Sequence, residues 1–407
     1  MLEGKTIVVI GGGAAGYFAA INAAYNYPDA NVIILEKTGK TLQKVKVSGG
    51  GRCNVTHHCF DVTLLSENYP RGEKELRQAF YQFSVNDTIA WFKKHGVELV
   101  AENDNRMFPS SNSSQTIIDC FENALKQLGG KVFPYHEVIK ISKKEDVFTL
   151  HLKVGNDILA HKIIVTSGGF NQINGYHFLS DFNLNIIKPL PSLFTFNLAD
   201  KNITKLMGLS VPSACVKIKN SNFQNQGPLL ITHWGFSGPA VLKLSAFSAI
   251  HLASLNYEFE IEVNWNTNYS PDTLKQYLID LKNTSAKLWS SLYTELGIPR
   301  RLHEYLLNEC QLNESKKLAE TNNKLIEQFC QLVCGQTFHI KGKTTFKEEF
   351  VTCGGIDLKE LNFKTMECKK VPGLYFAGEV LNIDGVTGGF NFQAAWTTSF
   401  IAAQLKT

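Results

Sequence analysis

This sequence is short of charge. Charged residues fill 19% of its 407 positions, below the ~25% of an average soluble domain. The 41 basic residues barely outnumber the 37 acidic ones, leaving a net charge of +4. That excess is too slight to predict nucleic-acid binding from composition. No stretch approaches the ~20 consecutive apolar residues of a membrane-spanning helix. The nine cysteines form no CxxC pair and keep no regular spacing, which points to reduced thiols in the cytoplasm and to no metal site. Cys330 and Cys334 sit four apart on a predicted helix and read as core packing. Internal repeats and low-complexity segments are absent too. With 31 Gly and 27 Phe, the composition excludes disorder, collagen and a bare coiled coil.

What remains is a chain with a large interior. Its length suggests two or three domains. Lys5 before an apolar run imitates a secretory leader, but three consecutive glycines and a patterned helix follow, so no signal peptide is expected. Residues 5–10 (KTIVVI) form a continuous β-branched run, the pattern of a buried parallel strand. Gly11, Gly12 and Gly13 turn the chain, 14–27 reads as a small-residue helix, and 31–36 (NVIILE) is a second buried strand. Farther on, 73–95 and 113–128 read as helices, and 131–138, 147–153 and 161–167 as strands. Past Pro189 and Pro191 the pattern changes. Residues 192–219 and 255–265 alternate like antiparallel strands, and 271–332 reads as helical throughout. The glycine-rich, buried-strand pattern returns at 350–396. These patterns predict an α/β domain split in sequence, formed by 1–190 and 350–407. A β domain (191–265 and 336–349) and a helical subdomain (266–335) are inserted into it.

Gly11-x-Gly13-x-x-Gly16 follows a strand and opens a helix, and Glu36 ends the next strand 20 residues later. This is the dinucleotide-binding pattern. Gly11 permits the tight turn, Gly13 admits a pyrophosphate to the backbone, and Gly16 lets helix and strand pack closely. The helix N-terminus offers free N–H groups to phosphates. Glu36 can accept hydrogen bonds from a ribose and would repel a 2′-phosphate, so NADP is disfavoured here. Three features favour FAD over NAD as the bound nucleotide. The motif opens the chain. A glycine-rich stretch, Ser48 to Asn54 (SGGGRCN), follows soon after. A predicted strand ends at Gly378-Glu379 and leads through GVTGG into a helix near Asn391, whose N-terminus could stabilise reduced flavin at N1–C2=O. No second GxGxxG with a ribose acid appears, so NADH or NADPH is expected only as a transient reductant.

SGGGRCNVTH, the stretch from Thr232 to Ser245 (THWGFSGPAVLKLS) and the C-terminal VTCGGIDLKEL…GLYFAGEVLNIDGVTGGFNFQAAWTT resemble the YhiN/BaiN-like flavoproteins. That family is also labelled aminoacetone oxidase-like FAD-binding enzymes. The resemblance spans nearly the whole chain. It implies a glutathione-reductase-like FAD-binding Rossmann domain carrying an inserted antiparallel β domain and a helical subdomain. It also implies an oxidoreductase that reduces conjugated C=C bonds, as in steroid-like dienones or a uracil ring of RNA. The chain departs from the family where it has Thr166-Ser167-Gly168-Gly169 in place of ATGG, and Asn382 where Asp is common.

Reducing a C=C bond needs hydride from flavin N5 on one carbon and a proton on the other. The candidate proton donors are Cys53 and His233, each of which could equally be structural. Arg52 could stabilise an enolate-like intermediate or bind FAD phosphate. Arg106, in a stretch resembling the family's GR-x-FP, lines a cleft or makes a loop salt bridge. Arg300 and Arg301 read as a solvated basic face. The cofactor-binding candidates are Gly11, Gly13, Ala14, Ala15, Gly16, Glu36, Lys37, Ser48, Gly49, Gly50, Arg52, Asn54, Thr56, Val138, Gly168, Gly378, Glu379, Gly389, Asn391 and Phe392. Two other functions fit the same sequence: an oxidase of a small amine or ketone using O2, and a non-catalytic RNA- or ribosome-binding flavoprotein. Residues 270–347 hold 11 Lys/Arg against 8 Asp/Glu, compatible with an RNA surface but no argument for one.

Overall fold

A computed structural model describes residues 4–344 and 351–406. Contacts divide the chain into two compact units, Met1–Ser192 with Lys347–Thr407, and Leu193–Phe346. The expected return to the first domain at residues 349/350 lies outside the described residues.

In the first unit the apolar runs become a parallel sheet. β1 (Thr6–Ile10) leads through the glycine turn into α1 (Ala14–Asn26), and β2 (Asn31–Leu35) completes the βαβ unit. β3 (Lys131–Phe133), β4 (Lys162–Val165) and β5 (Leu374–Phe376) join them in the order β5-β4-β1-β2-β3, all parallel. Two short antiparallel strands, Leu361–Asn362 and Glu367–Cys368, extend the β5 edge. The middle strands are buried on both faces, which is why their sequences run apolar without alternation. The chain ends in α2 (Phe390–Ala402), which packs on α1 through the Phe18 and Trp396 rings, 5.2 Å apart. Small residues cover α1, so neighbours reach it from nearly all sides.

Several predicted elements are interrupted. The strand expected over 131–138 stops at Phe133, because Pro134 and the left-handed Tyr135 (φ 60°) redirect the chain. A new strand, Val138–Lys144, begins a separate three-stranded antiparallel sheet. The helix expected over 73–95 is two helices, Glu73–Phe80 and Val85–Lys94, the second begun by a Ser84–Asp87 capping box.

The second unit is a closed six-stranded barrel. Its strand order is 195–198, 235–237, 224–231, 210–218, 258–264 and 336–344, and the last pairs with the first. The region predicted as helical throughout contains Pro271–Thr284, Leu292–Glu295, Arg300–Glu309 and Asn323–Gly335. Gly297 (φ 60°) and Pro299 break it before Arg300, and a polar stretch separates its last two helices. Barrel and helices share one core, in which Trp265, Phe329, Cys330 and Cys334 are buried together. Among the described residues no helix is long and apolar enough to cross a membrane.

Candidate functional site

At the C-terminal ends of the parallel strands, the glycine turn is built as its spacing requires. Gly11 has φ 109°, and a Cβ on it would lie 2.6 Å from the Thr166 carbonyl oxygen. A Cβ on Gly16 would come within 1.8 Å of the Gly11 carbonyl oxygen, so α1 crosses β1 too closely for any side chain there. Gly13 differs, because a Cβ on it would meet nothing within 4 Å. Its backbone borders open space, and it starts α1 without a side-chain cap. The amides of Ala14, Ala15 and Gly16 form that uncapped first turn, the arrangement that receives phosphate. Glu36 Oε2 accepts from the Gly12 amide at 2.8 Å, and Oε1 accepts from the Thr38 amide at 2.8 Å.

Beside this turn lies a cavity of about 370 Å³. Gly11, Glu36, Lys37 and Val138 line it, together with His136, Ser167, Phe170 and His177. The buried Ser167 hydroxyl has no hydrogen-bond partner, an unmet polar group of the kind a ligand satisfies. Lys37 Nζ stands 5.5 Å from the Phe170 ring centroid. Sequence reasoning missed Phe170 and His177, because the segment that brings them, which runs into the 3-10 helix Ile173–Phe182, carries no motif of its own. Next to Ser167, Gly168 has φ 74° and open space where a Cβ would be. The residues present therefore fit an adenosine diphosphate moiety: a carboxylate for the ribose, uncapped amides for phosphate and an orphaned hydroxyl in the cavity wall.

Ser48 to Asn54 forms a tight turn at the end of the short helix Gln43–Gly51. Gly49, Gly50 and Gly51 all take positive φ, and Cβ atoms on Gly50 and Gly51 would meet nothing within 4 Å. Ser48 is extended there (ψ 147°) and its carbonyl accepts from the Cys53 amide. Arg52 does not point freely. It pairs with Glu102 at 2.6 Å, and its guanidinium lies 4.0 Å from the Phe108 ring centroid. Arg106 bonds the same Glu102 and also Asp104, at 3.2 and 2.7 Å. Cys53 is 0% exposed, and burial pushes its thiol up to about 12. A thiol in that state neither meets solvent nor gives up a proton readily at neutral pH.

Asn54 and Thr56 turn toward α2 rather than outward. With its amide oriented to satisfy both neighbours, Asn54 Oδ1 accepts from the Gly389 amide at 2.9 Å and Nδ2 donates to the Thr56 carbonyl at 3.0 Å. The buried Thr56 hydroxyl donates to Gln393 Oε1 at 2.6 Å. Asn391 closes the entry loop, accepting from the Gly385 amide and donating to its carbonyl. Phe392 stacks on Trp396 at 5.4 Å. Gly389 (φ 93°) starts α2 with no side-chain cap. Gly378 (φ 75°) lets the end of β5 approach Ala15, whose Cβ would lie 2.8 Å from an added Cβ. Glu379 is bound by Lys44 Nζ at 2.5 Å and by the Thr352 amide at 3.1 Å. Asn382 Oδ1 accepts from the Gly354 amide at 2.9 Å. That bond needs only an oxygen acceptor, which the Asn382 amide supplies. His57, in the same SGGGRCNVTH stretch, was overlooked by the sequence reading, which looked for chemistry at Cys53. Its ring stacks on Phe390 and its Nδ1 meets the Gly388 carbonyl.

The remaining candidates lie in the second unit. His233 is exposed on a barrel turn, its ring 4.3 Å from that of Trp234. Arg300 pairs with Glu304, and Arg301 bonds the Lys205 carbonyl.

The family described as HI0933-like protein Rossmann domain matches residues 5–405. The chain is 30% identical to the ribosomal RNA dihydrouridine synthase of Escherichia coli, over 99% of this chain and 98% of that protein. It is 25% identical to the 3-dehydro-bile acid delta(4,6)-reductase of Clostridium scindens, over 98% of each. In fold it is similar to the 3-ketosteroid delta1-dehydrogenase of Sterolibacterium denitrificans, with a TM-score of 0.51 at 12% identity, covering 98% of this chain and 99% of that one.

Proposed function

The chain belongs to the HI0933-like Rossmann family, and from that membership and its site we propose an FAD-dependent oxidoreductase that reduces an activated C=C bond. The observation that carries the cofactor is the cluster at the strand ends. Glu36 and the unpartnered Ser167 hydroxyl line one cavity, and Gly11 in its wall leads into the turn that ends at the uncapped amides of α1. Bound FAD would supply the redox chemistry, taking electrons from NADH or NADPH and delivering them to the substrate. The names of the two curated relatives support the reaction class, since both denote saturation of carbon–carbon double bonds. The substrate class is accordingly an enone or a uracil-like ring, free or in RNA.

The protein's own contribution is positional. Gly13 and Gly168 leave room for the cofactor against the backbone. Glu36 would orient the ribose, and Gly50 and Gly51 present backbone with open space where a side chain would be. α2 brings a second uncapped N-terminus, suited to negative charge. Nine unpaired cysteines suit a reducing compartment, and we place the enzyme in the cytoplasm.

The test is anaerobic stopped-flow reduction with NADH and NADPH, followed by a screen of enone and uracil-containing acceptors. The flavin should bleach with one nucleotide and recover its colour with an acceptor. A purified protein that is colourless, or yellow and unbleached by either nucleotide, overturns the reading.

A further inference from the structure

The peptide that leads into α2 joins Gly388 and Gly389, with φ of 125° and 93°. Glycines at such angles rotate cheaply, so this peptide has little intrinsic reason to hold one orientation. It is held from both ends by one stretch of chain. Asn54 Oδ1 accepts from its N–H at 2.9 Å, and His57 Nδ1 lies 3.0 Å from its carbonyl oxygen. A carbonyl oxygen only accepts, so His57 Nδ1 carries the proton in this bond. The imidazole is itself fixed by stacking on Phe390, with centroids 4.5 Å apart and planes at 28°. Phe390 is anchored in turn by Tyr69, whose hydroxyl donates to its carbonyl at 2.7 Å.

We propose that His57 is a positioning residue for the bound flavin. By clamping the Gly388–Gly389 peptide it fixes the entry of α2, so that the first-turn amides hold one direction and favour negative charge on the reduced cofactor. The inference rests on the FAD reading above. Amides and a helix dipole stabilise an anion only while they are aimed at it. A peptide free to turn its carbonyl toward the same space would oppose that charge. Losing the clamp should therefore make the flavin harder to reduce without removing it, because the adenosine end is held elsewhere.

Three substitutions separate the bond from the ring. His57→Phe keeps an aromatic stack and loses the donor. His57→Asn places an amide N–H close to the Nδ1 position. His57→Gln carries its amide farther out. The measurement is the midpoint potential of the FAD-loaded protein, by xanthine oxidase-coupled reduction against reference dyes. Flavin content and thermal midpoint are recorded beside it. His57→Phe and His57→Gln should shift the potential to more negative values at full flavin content, and His57→Asn should restore it. Should His57→Phe fail to fold, His57→Gln decides in its place. A wild-type potential in His57→Phe and His57→Gln, or a His57→Asn shift as large as theirs, overturns the inference. A wild-type chain that takes up no FAD fails earlier and sinks the cofactor reading itself.

Discussion

Arg71 grips Asp384 through two parallel hydrogen bonds, with Nε to Oδ1 at 2.5 Å, and Asp384 is 0% exposed. The Ser192 hydroxyl donates to the same carboxylate at 2.5 Å. Three distant segments thus meet on one buried charge, immediately before the loop that enters α2.

Removing that charge leaves a buried guanidinium uncompensated. Asp384→Ala should destabilise the protein by roughly 3–5 kcal/mol, the usual cost of breaking a buried pair from one side. The double variant Arg71→Met/Asp384→Leu should cost clearly less, since no orphaned charge remains. Denaturant unfolding of both variants checks this, and equal losses would contradict it.

Glu36 ties the glycine turn through the Gly12 amide, and in the proposed function it would also hold a ribose. Glu36→Ala should weaken FAD binding about ten- to hundredfold, matching the roughly 1.5–3 kcal/mol of a charge-assisted hydrogen bond. Glu36→Gln keeps an acceptor for the Gly12 amide and should fall between it and wild type. Flavin retention after dialysis reads the order directly.

Cys53 should prove structural. Buried and with its thiol pushed up to about 12, it should resist thiol reagents in the native protein. Cys53→Ala should lower stability by about 1 kcal/mol and leave the reductive and oxidative half-reactions in step. A selective slowing of the oxidative half-reaction by about 10²–10⁴ would restore it as the general acid.

His303 predicts an acid-sensitive fold. It is 1% exposed, its Nε2 has no partner, and burial lowers its pKa to about 4. An unfolded histidine titrates near 6.5. Between these values the unfolded chain binds the proton and the native chain does not. The stabilisation is therefore complete above about pH 6.5 and is lost as pH falls toward 4, by at most roughly 3 kcal/mol. His303→Phe should flatten the stability profile across that window. A profile as steep as wild type would exclude His303 as its source.

Much of this molecule follows from short-range chemistry that a linear reading can follow. The βαβ unit shows because strands buried on both faces must be continuously apolar, and because Gly16 answers a clash with Gly11 only five residues before it. Glu36 was legible for the same reason, since a fixed number of residues carries the chain from the turn to the next strand end. The breaks at Tyr135, Ser84 and Gly297 were written locally too, but as single residues that periodicity averages away. Other features became visible only when distant segments met. The partnerless Ser167 hydroxyl, the cavity wall from Phe170 to Phe178, and the burial of Cys53 depend on what packs against them. The clamp on Gly388–Gly389 needs His57 and Asn54 beside a helix more than three hundred residues later. Such contacts leave no period in the chain, because hydrogen bonding depends on distance in space and not on separation in sequence.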